Sequence, residues 1–395
     1  MMAVDGQSAA TRRCAEDGVV RESTVCIVQP VMKQYRLPFF TALSEALAAD
    51  GITLRVVYGT PWAAEQRRGD HVDLPPPLGQ RVASRMLGGL LWLPVLKPWL
   101  TADLVVVEHA NKNLLNLPLT ALWRLGVKQL AYWGHGRDRQ VDPRTAGERF
   151  KRRSLHWADW WFAYTDESAR YVRAQGFSAE RVTVVQNAVD TRELLAQLAA
   201  VGEADTVRKR QELGWPDDSR IGVYCGSLYA SKRLDLLLEA AEQVHGRQPA
   251  FRLLLIGDGP LRAEVEDFAR GRGWVHVAGA RFGREKAQLL SLAEMWLNPG
   301  LVGLGILDAF CARLPLLTTD LPLHSPEIEY LEPGRNGLMV PPSGRAFADA
   351  IECLLADPDR LRALRAGAQA SSHRYSIEAM AHNFAAGVRQ CLGRS

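Results

Sequence analysis

Met295–Thr319 reads MWLNPGLVGLGILDAFCARLPLLTT. An apolar β-type run, Met295–Leu297, enters a loop carrying Gly300, Gly303 and Gly305. A helical pattern follows over Leu304–Ala312, and a second apolar run, Leu316–Thr319, closes the unit. Strand, loop, helix and strand in this order make a parallel crossover. Backbone N–H groups at a glycine-lined helix start suit anionic oxygens. Asp308, a few residues into the helix, suits ribose hydroxyls as carboxylates do in nucleotide folds. The unit therefore points to a nucleotide diphosphate. An acid there can equally serve the helix dipole alone.

The same alternation extends in both directions. Strands are expected at Thr24–Gln29, Thr53–Tyr58, Leu104–Glu108, Gln129–Trp133, Trp160–Tyr164 and Val182–Gln186, then at Ile221–Gly226, Phe251–Ile256, Val275–Ala278, Met295–Asn298 and Leu316–Thr319. Helical patterns fall between them and continue at Gly344–Leu355 and Ile377–Leu392. Two α/β domains with doubly wound parallel sheets follow. The expected divisions are a disordered tail over 1–21, a first Rossmann-like domain over 22–201, a linker over 202–218, a second over 219–376, and a last helix over 377–395. Ligands of such sheets bind beyond the carboxyl ends of the strands.

The 395 residues, 47% of them hydrophobic, provide material for two cores. Arg81–Arg153 carries thirteen Lys and Arg against five Asp and Glu, although the whole chain is only +4. That stretch suits acidic lipid or substrate phosphate, or is a solvated basic face. No nucleic-acid partner is expected. The six cysteines lack a C-x-x-C spacing, so they read as reduced thiols with no metal site. The polar start of the chain lacks the apolar stretch of a secretory signal, and a cytoplasmic protein is expected. Met86–Leu100, MLGGLLWLPVLKPWL, is too short to span a bilayer. It is either an interfacial segment at an anionic membrane surface, with Trp92 and Trp99 as anchors, or a buried crossover.

Several loops after strands carry candidate chemistry. After Ile221–Cys225 comes Gly226-Ser227-Leu228-Tyr229-Ala230-Ser231-Lys232-Arg233. Gly226 allows close backbone approach, Ser231 is an expected helix N-cap, and Lys232 and Arg233 supply charge for a diphosphate. Gly257-Asp258-Gly259-Pro260 reads as a tight turn into a helix. Gly303, Leu304 and Gly305 offer amides, and His324, Ser325 and Glu327 offer polar groups at the same sheet end. In the first half, His135 lies between Gly134 and Gly136 after a strand, followed by Arg137 and Asp138. Glu108 and Lys112 follow another strand, and Lys33, Tyr35 and Arg36 follow the first. Each of these can also be an ordinary loop residue. Asp357-Pro358-Asp359, the only D-x-D, reads as a turn.

The order of these motifs, over Gly222–Pro342, resembles the retaining glycosyltransferases of family 4. The resemblance implies a GT-B fold with an interdomain cleft, an acceptor-binding first domain, a donor-binding second domain, and a last helix packed back on the first. It implies a metal-independent transfer, with no cofactor, from a UDP- or GDP-sugar to a hydroxyl of a glycan or lipid-linked acceptor. Pathways to glycans, polysaccharides or glycolipids fit, at the inner face of the cytoplasmic membrane. Lys232 matches the donor-diphosphate lysine, Asp308 the ribose-binding acid, and His135 a histidine beside the reacting carbon. Gly226, Ser227, Arg233, Gly257, Gly303, Leu304, Gly305 and Glu327 fall on the donor side. Lys33, Tyr35, Arg36, Glu108 and Lys112 fall on the acceptor side. Retention in the family is thought to proceed on one face of the sugar. Two positions depart from its pattern: Ser227 stands in place of an arginine, and Gly300 in place of the first motif glutamate. A catalytically silent nucleotide-sugar-binding subunit and a GT-B nucleotide-sugar epimerase remain open. The first strand lacks G-x-G-x-x-G, which excludes a dinucleotide-binding dehydrogenase.

Overall fold

A computed structural model describes residues 22–66, 71–95, 101–137, 145–322 and 324–394. The expected tail, the Trp99 end of the apolar segment, and Asp138 lie outside them. Two parallel sheets organise the chain. The first holds β1 (Ser23–Gln29), β2 (Ile52–Gly59), β3 (Gly79–Val82), β6 (Leu104–Glu108), β7 (Gln129–Gly134), β8 (Trp160–Ala163) and β9 (Val182–Val184), in the order β3-β2-β1-β6-β7-β8-β9. The second holds β10 (Arg220–Cys225), β11 (Phe251–Ile256), β12 (Val275–Gly279), β13 (Met295–Leu297), β14 (Leu316–Thr319) and β15 (Gly337–Val340), in the order β12-β11-β10-β13-β14-β15. In each sheet the chain begins inside and winds outward both ways, so a switch point lies beside β1 and beside β10. Central strands such as LVVVE and WWFA are almost wholly buried because helices cover both faces. This is the GT-B architecture.

The expected strands and helices are present, with ends shifted by a few residues. Three stretches differ. The expected linker contains a helix, Glu203–Glu212. Its ten residues have no buried face, so no apolar stripe announces it. Asp205 bonds the Gly202 N–H at its start, and Lys209–Glu212 pairs at 2.5 Å along it. Asp357-Pro358-Asp359 starts a 17-residue helix, Pro358–Arg374, instead of forming a bare turn. Asp357 accepts the Arg360 N–H at 2.9 Å, and Pro358 occupies the first turn, where no amide partner is needed. Met86–Leu100 takes a form of its own in its described part, with Leu91, Leu93 and Val95 buried and Met86, Leu87 and Leu90 exposed. Gly88 and Gly89 turn it into a hairpin, β4 (Arg85–Leu87) against β5 (Leu90–Trp92).

The last helix, Ile377–Cys391, leaves the second sheet and lies against Leu37–Ala48 and the first sheet. Phe384 stacks on Phe162 at 4.0 Å and meets Trp133 edge-on at 5.2 Å. Arg389 pairs with Asp50 at 2.6 Å. The two halves also meet in a buried polar seam. Asn187 accepts from Arg36 at 2.9 Å and donates to Glu327 at 2.6 Å, while the Tyr330 hydroxyl donates to the Asn187 carbonyl at 2.9 Å. Beside it, Glu329 accepts the Glu167 N–H at 2.6 Å and pairs with Arg170 at 2.5 Å.

Candidate functional site

The carboxyl ends of β10, β11 and β13 converge on one knot of backbone. The Gly226 N–H bonds the Ile256 carbonyl, and the Leu228 N–H bonds the Asp258 carbonyl, each at 2.9 Å. A Cβ on Gly257 would lie 1.8 Å from the Gly226 carbonyl oxygen, so only glycine lets these two turns touch. Asp258 serves this turn, accepting from the Gly259 N–H at 2.7 Å and from Arg262 at 3.0 Å.

Lys232 ends the short turn Ala230–Lys232, and its ammonium donates to the Leu301 carbonyl at 2.5 Å. Among the described residues no carboxylate bonds it. Burial pushes its pKa down to about 8. The Leu301 N–H returns a bond to the Ser231 carbonyl at 2.8 Å, so the β13 loop is pinned to the lysine turn. Gly300 lies at the contact: a Cβ there would sit 2.1 Å from the Lys232 carbonyl carbon. The position reads in sequence as a missing acid, and the structure adds that no side chain fits. His324 fixes the other end of this loop. Its Nδ1 accepts the Val302 N–H at 3.0 Å, which leaves Nε2–H to donate to the Thr319 carbonyl at 2.7 Å. Gly303, Leu304 and Gly305 then lead into the helix Gly305–Cys311.

Asp308, on that helix, pairs with Lys286 at 2.8 Å. Burial pulls the Lys286 ammonium down, but Asp308 outweighs it and holds the pKa above its ordinary value. Lys286 went unread in the sequence. Its signal was its place on the helix Gly283–Ser291, directly beyond the carboxyl end of β12. Three donor-side expectations change. Ser231 is not a helix N-cap, because the chain enters Leu234–Arg247 through Arg233 in a left-handed conformation, φ 50°. Arg233 turns to Asp235 at 3.1 Å rather than toward the lysine turn. Glu327 is 4% exposed and bonded to Asn187, inside the seam instead of on an open wall.

On the opposite side a cavity of about 510 Å³ is lined by Glu108, Lys112, His135, Arg137, Lys151 and Tyr164 of the first half and by His324, Ser325 and Pro326 of the second. It thus lies between the halves and reaches the residues that hold the Lys232–Leu301 loop. The His135 ring meets Tyr164 edge-on at 4.3 Å. A smaller cavity, about 190 Å³, is lined by Lys33, Tyr35, Arg36 and Glu108 among others. Glu108 borders both, and burial raises its carboxyl, opposed by Lys151 and Arg36. Arg36 is 5% exposed, its guanidinium 4.7 Å from the Trp133 ring centre, so it belongs chiefly to the seam. Lys33 pairs with Glu65. Tyr35 and Lys112 are exposed. Ser227 is exposed, and its carbonyl accepts from the Tyr224 hydroxyl at 2.7 Å. Among the described residues no three His, Cys, Asp or Glu side chains form a metal site, and no helix is long and apolar enough to cross a membrane.

Residues 39–193 match the model of the glycosyltransferase family 4 domain, and residues 219–357 match that of the glycosyl transferases group 1. The chain is 30% identical over 199 residues to the alpha-D-kanosaminyltransferase of Streptomyces kanamyceticus, covering 48% of this chain and 51% of that one. It is 27% identical over 244 residues to the putative glycosyltransferase EpsD of Bacillus subtilis, covering 58% and 62%. The matches thus span roughly half to three-fifths of these relatives. The crystal structure of Anabaena HepE in complex with UDP superposes with a TM-score of 0.67 at 17% identity, covering 93% of this chain and all of that one. That likeness concerns the fold.

Proposed function

The chain belongs to the group 1, family 4 glycosyltransferases, and from that premise we propose that it moves a hexosyl or related sugar from a nucleoside-diphosphate sugar to a hydroxyl acceptor, with retention and without a metal. One observation carries the reading. Lys232 carries a half-buried ammonium, its pKa pushed down to about 8, held by a carbonyl at the carboxyl ends of β10 and β13. A lysine desolvated this way favours a tightly bound anion. A diphosphate leaving group is such an anion, and its developing charge is the main electrostatic demand of the reaction. Asp308 takes the ribose, and the amides around Gly226, Gly257 and Gly303–Gly305 line the phosphates. UDP is the nucleotide named for the superposed HepE structure and is the first donor base to test.

His135, on the cavity wall between the halves, faces the sugar undergoing transfer through an oxocarbenium-like state. Glu108, Lys112, Lys33 and Tyr35 line the acceptor approach. Closing the halves over the cleft would exclude water and suppress donor hydrolysis. Lysine rather than metal neutralises the diphosphate in this scheme; the sole D-x-D is spent on capping a helix. The setting is glycan, polysaccharide or glycolipid synthesis in the cytoplasm, with peripheral contact to the anionic inner membrane face through the basic first half. A UDP titration of wild type and Lys232→Ala tests the reading. Micromolar binding in the first and at least a hundredfold loss in the second is expected. Equal affinity in both, with both folded, would remove Lys232 from the phosphate site.

A further inference from the structure

The two halves carry their arginines differently. In the second, Arg220, Arg233, Arg247, Arg262 and Arg272 each pair with a carboxylate. In the first, Arg124, Arg149, Arg152 and Arg153 are exposed, and among the described residues none of them meets a carboxylate. Three of these four stand on the helix Ala146–Ser154, which buries only Ser154. Arg149, Phe150, Arg152, Arg153 and His156 line one hollow of the surface. Glu108 and Glu148, acids of the same stretch of chain, line the cleft instead.

Apolar surface lies beside these cations. Phe150 shares an opening with Leu90, Leu117 and Trp157. Leu90, Leu117 and Phe150 are 37%, 54% and 44% exposed, and Leu87, paired with Leu90 across the hairpin, is 53% exposed. The hairpin is fixed at its base. The Leu91 N–H donates to the Lys112 carbonyl at 2.7 Å, and the Leu91 carbonyl accepts from the Leu114 N–H at 3.0 Å. Arg124 joins the group through Trp157, its guanidinium 5.0 Å from the ring centre. Single exposed leucines are ordinary, whereas a group of large apolar side chains on one face marks a contact surface. Apolar side chains standing among cations without carboxylate partners match acyl chains beneath anionic headgroups. A soluble polyanion would engage the arginines and leave Leu87, Leu117 and Phe150 in water.

We infer that this face docks the chain on an anionic bilayer. Leu87, Leu90, Leu117 and Phe150 enter the boundary between headgroups and acyl chains, and Arg124, Arg149, Arg152 and Arg153 meet lipid phosphates. The inference deepens the glycosyltransferase reading and rests on it for its consequence. Asn111 lines both the apolar opening and the cleft, so the docked face borders the cleft mouth. The acceptor entering there is lipid-linked and is presented from the bilayer.

Co-sedimentation of the full chain with vesicles tests this. Vesicles of about one-third phosphatidylglycerol in phosphatidylcholine are expected to bind it, and pure phosphatidylcholine to bind it far less. Arg149→Gln, Arg152→Gln and Arg153→Gln together are expected to weaken partitioning on the order of a hundredfold, about fivefold per arginine. The same loss of charge at Arg270, Arg345 and Arg362 is expected to leave partitioning within about threefold of wild type. Leu87→Ser with Phe150→Ser keeps every charge and is expected to weaken partitioning about tenfold. All of these residues are exposed, so each variant is expected to fold. Binding without preference for anionic lipid, equal losses in the two arginine triples, or binding untouched by the serine pair would overturn the inference. The last result would give the arginines to a soluble polyanion. UDP titrated on the same samples separates the inference from its premise. UDP binding without vesicle binding overturns the inference alone. Vesicle binding without UDP binding overturns the transferase reading and the lipid-linked acceptor, and leaves the docking face standing.

Discussion

Lys232 and Asp308 show how much of the site a residue type reveals before its surroundings are known. A lysine and an acid beyond the carboxyl ends of strands were legible because the strand pattern located those ends. Their partners were not legible. Lys286 faces Asp308 from a helix 22 residues earlier, and although its place beyond β12 is readable, nothing in the sequence pairs the two. The Leu301 carbonyl that holds Lys232 is backbone and leaves no mark in the residue types. The depressed lysine gives a pH prediction with two opposite signs. Lys232 falls from an ordinary 10.5 to about 8 in the folded chain. Between those values the unfolded chain binds more protons, so its contribution makes the unliganded fold more stable as pH rises from about 8. UDP needs the protonated ammonium, so its affinity is flat below pH 8 and falls about tenfold per pH unit above it. Titration calorimetry from pH 7 to 9.5 checks this. A Lys232→Met variant should show no such fall, and a similar fall there would assign the titration to another group.

The loop between β13 and the helix Gly305–Cys311 is an element whose shape is set by a residue with no side chain. The missing acid at Gly300 reads in sequence as a lost sugar contact or lost activity. In the fold, the loop approaches the Lys232 turn so closely that a Cβ would lie 2.1 to 2.4 Å from three of its backbone atoms. Backbone on both sides cannot yield as a side chain tip can. Gly300→Ala is therefore expected to push the loop off the turn and break the Leu301–Ser231 bond. Overpacking of this kind costs about 1–3 kcal/mol. Thermal melting should register that loss, and UDP affinity should drop with it because Lys232 loses its position. A variant with unchanged melting and UDP affinity would show the approach to be looser than this. Other elements divide the same way. Apolar strands and amphipathic helices were legible from period and run length. The helix Glu203–Glu212, polar on every face, and the hairpin at Gly88–Gly89 were not, since neither buries a regular stripe.

At the scale of the whole molecule, the two halves meet through the last helix, through the helix Arg192–Ala199 packed on Gly283–Ser291, and through a buried polar seam. Alternation of strands and helices made the two sheets legible, but no pattern in the sequence pairs Arg36 with Asn187, 151 residues away. Glu327 sits where these scales conflict. Its place after β14 fits a donor contact, whereas its 4% exposure and 2.6 Å bond to Asn187 fit a strut between halves. A donor ligand and a strut respond differently to loss of charge. If Glu327 is a strut, Glu327→Gln keeps an acceptor for the Asn187 amide but removes the negative charge that offsets buried Arg36. Stability should fall by about 2 kcal/mol, the scale of a hydrogen-bonded charge. Asn187→Ala should cost at least as much, because both Arg36 and Glu327 then lose a buried partner. UDP affinity below the melting range should stay within twofold of wild type in both. Urea unfolding and UDP titration on the same two variants decide between the roles. Unchanged unfolding with tenfold weaker UDP binding in Glu327→Gln would move this carboxylate from the seam to the donor.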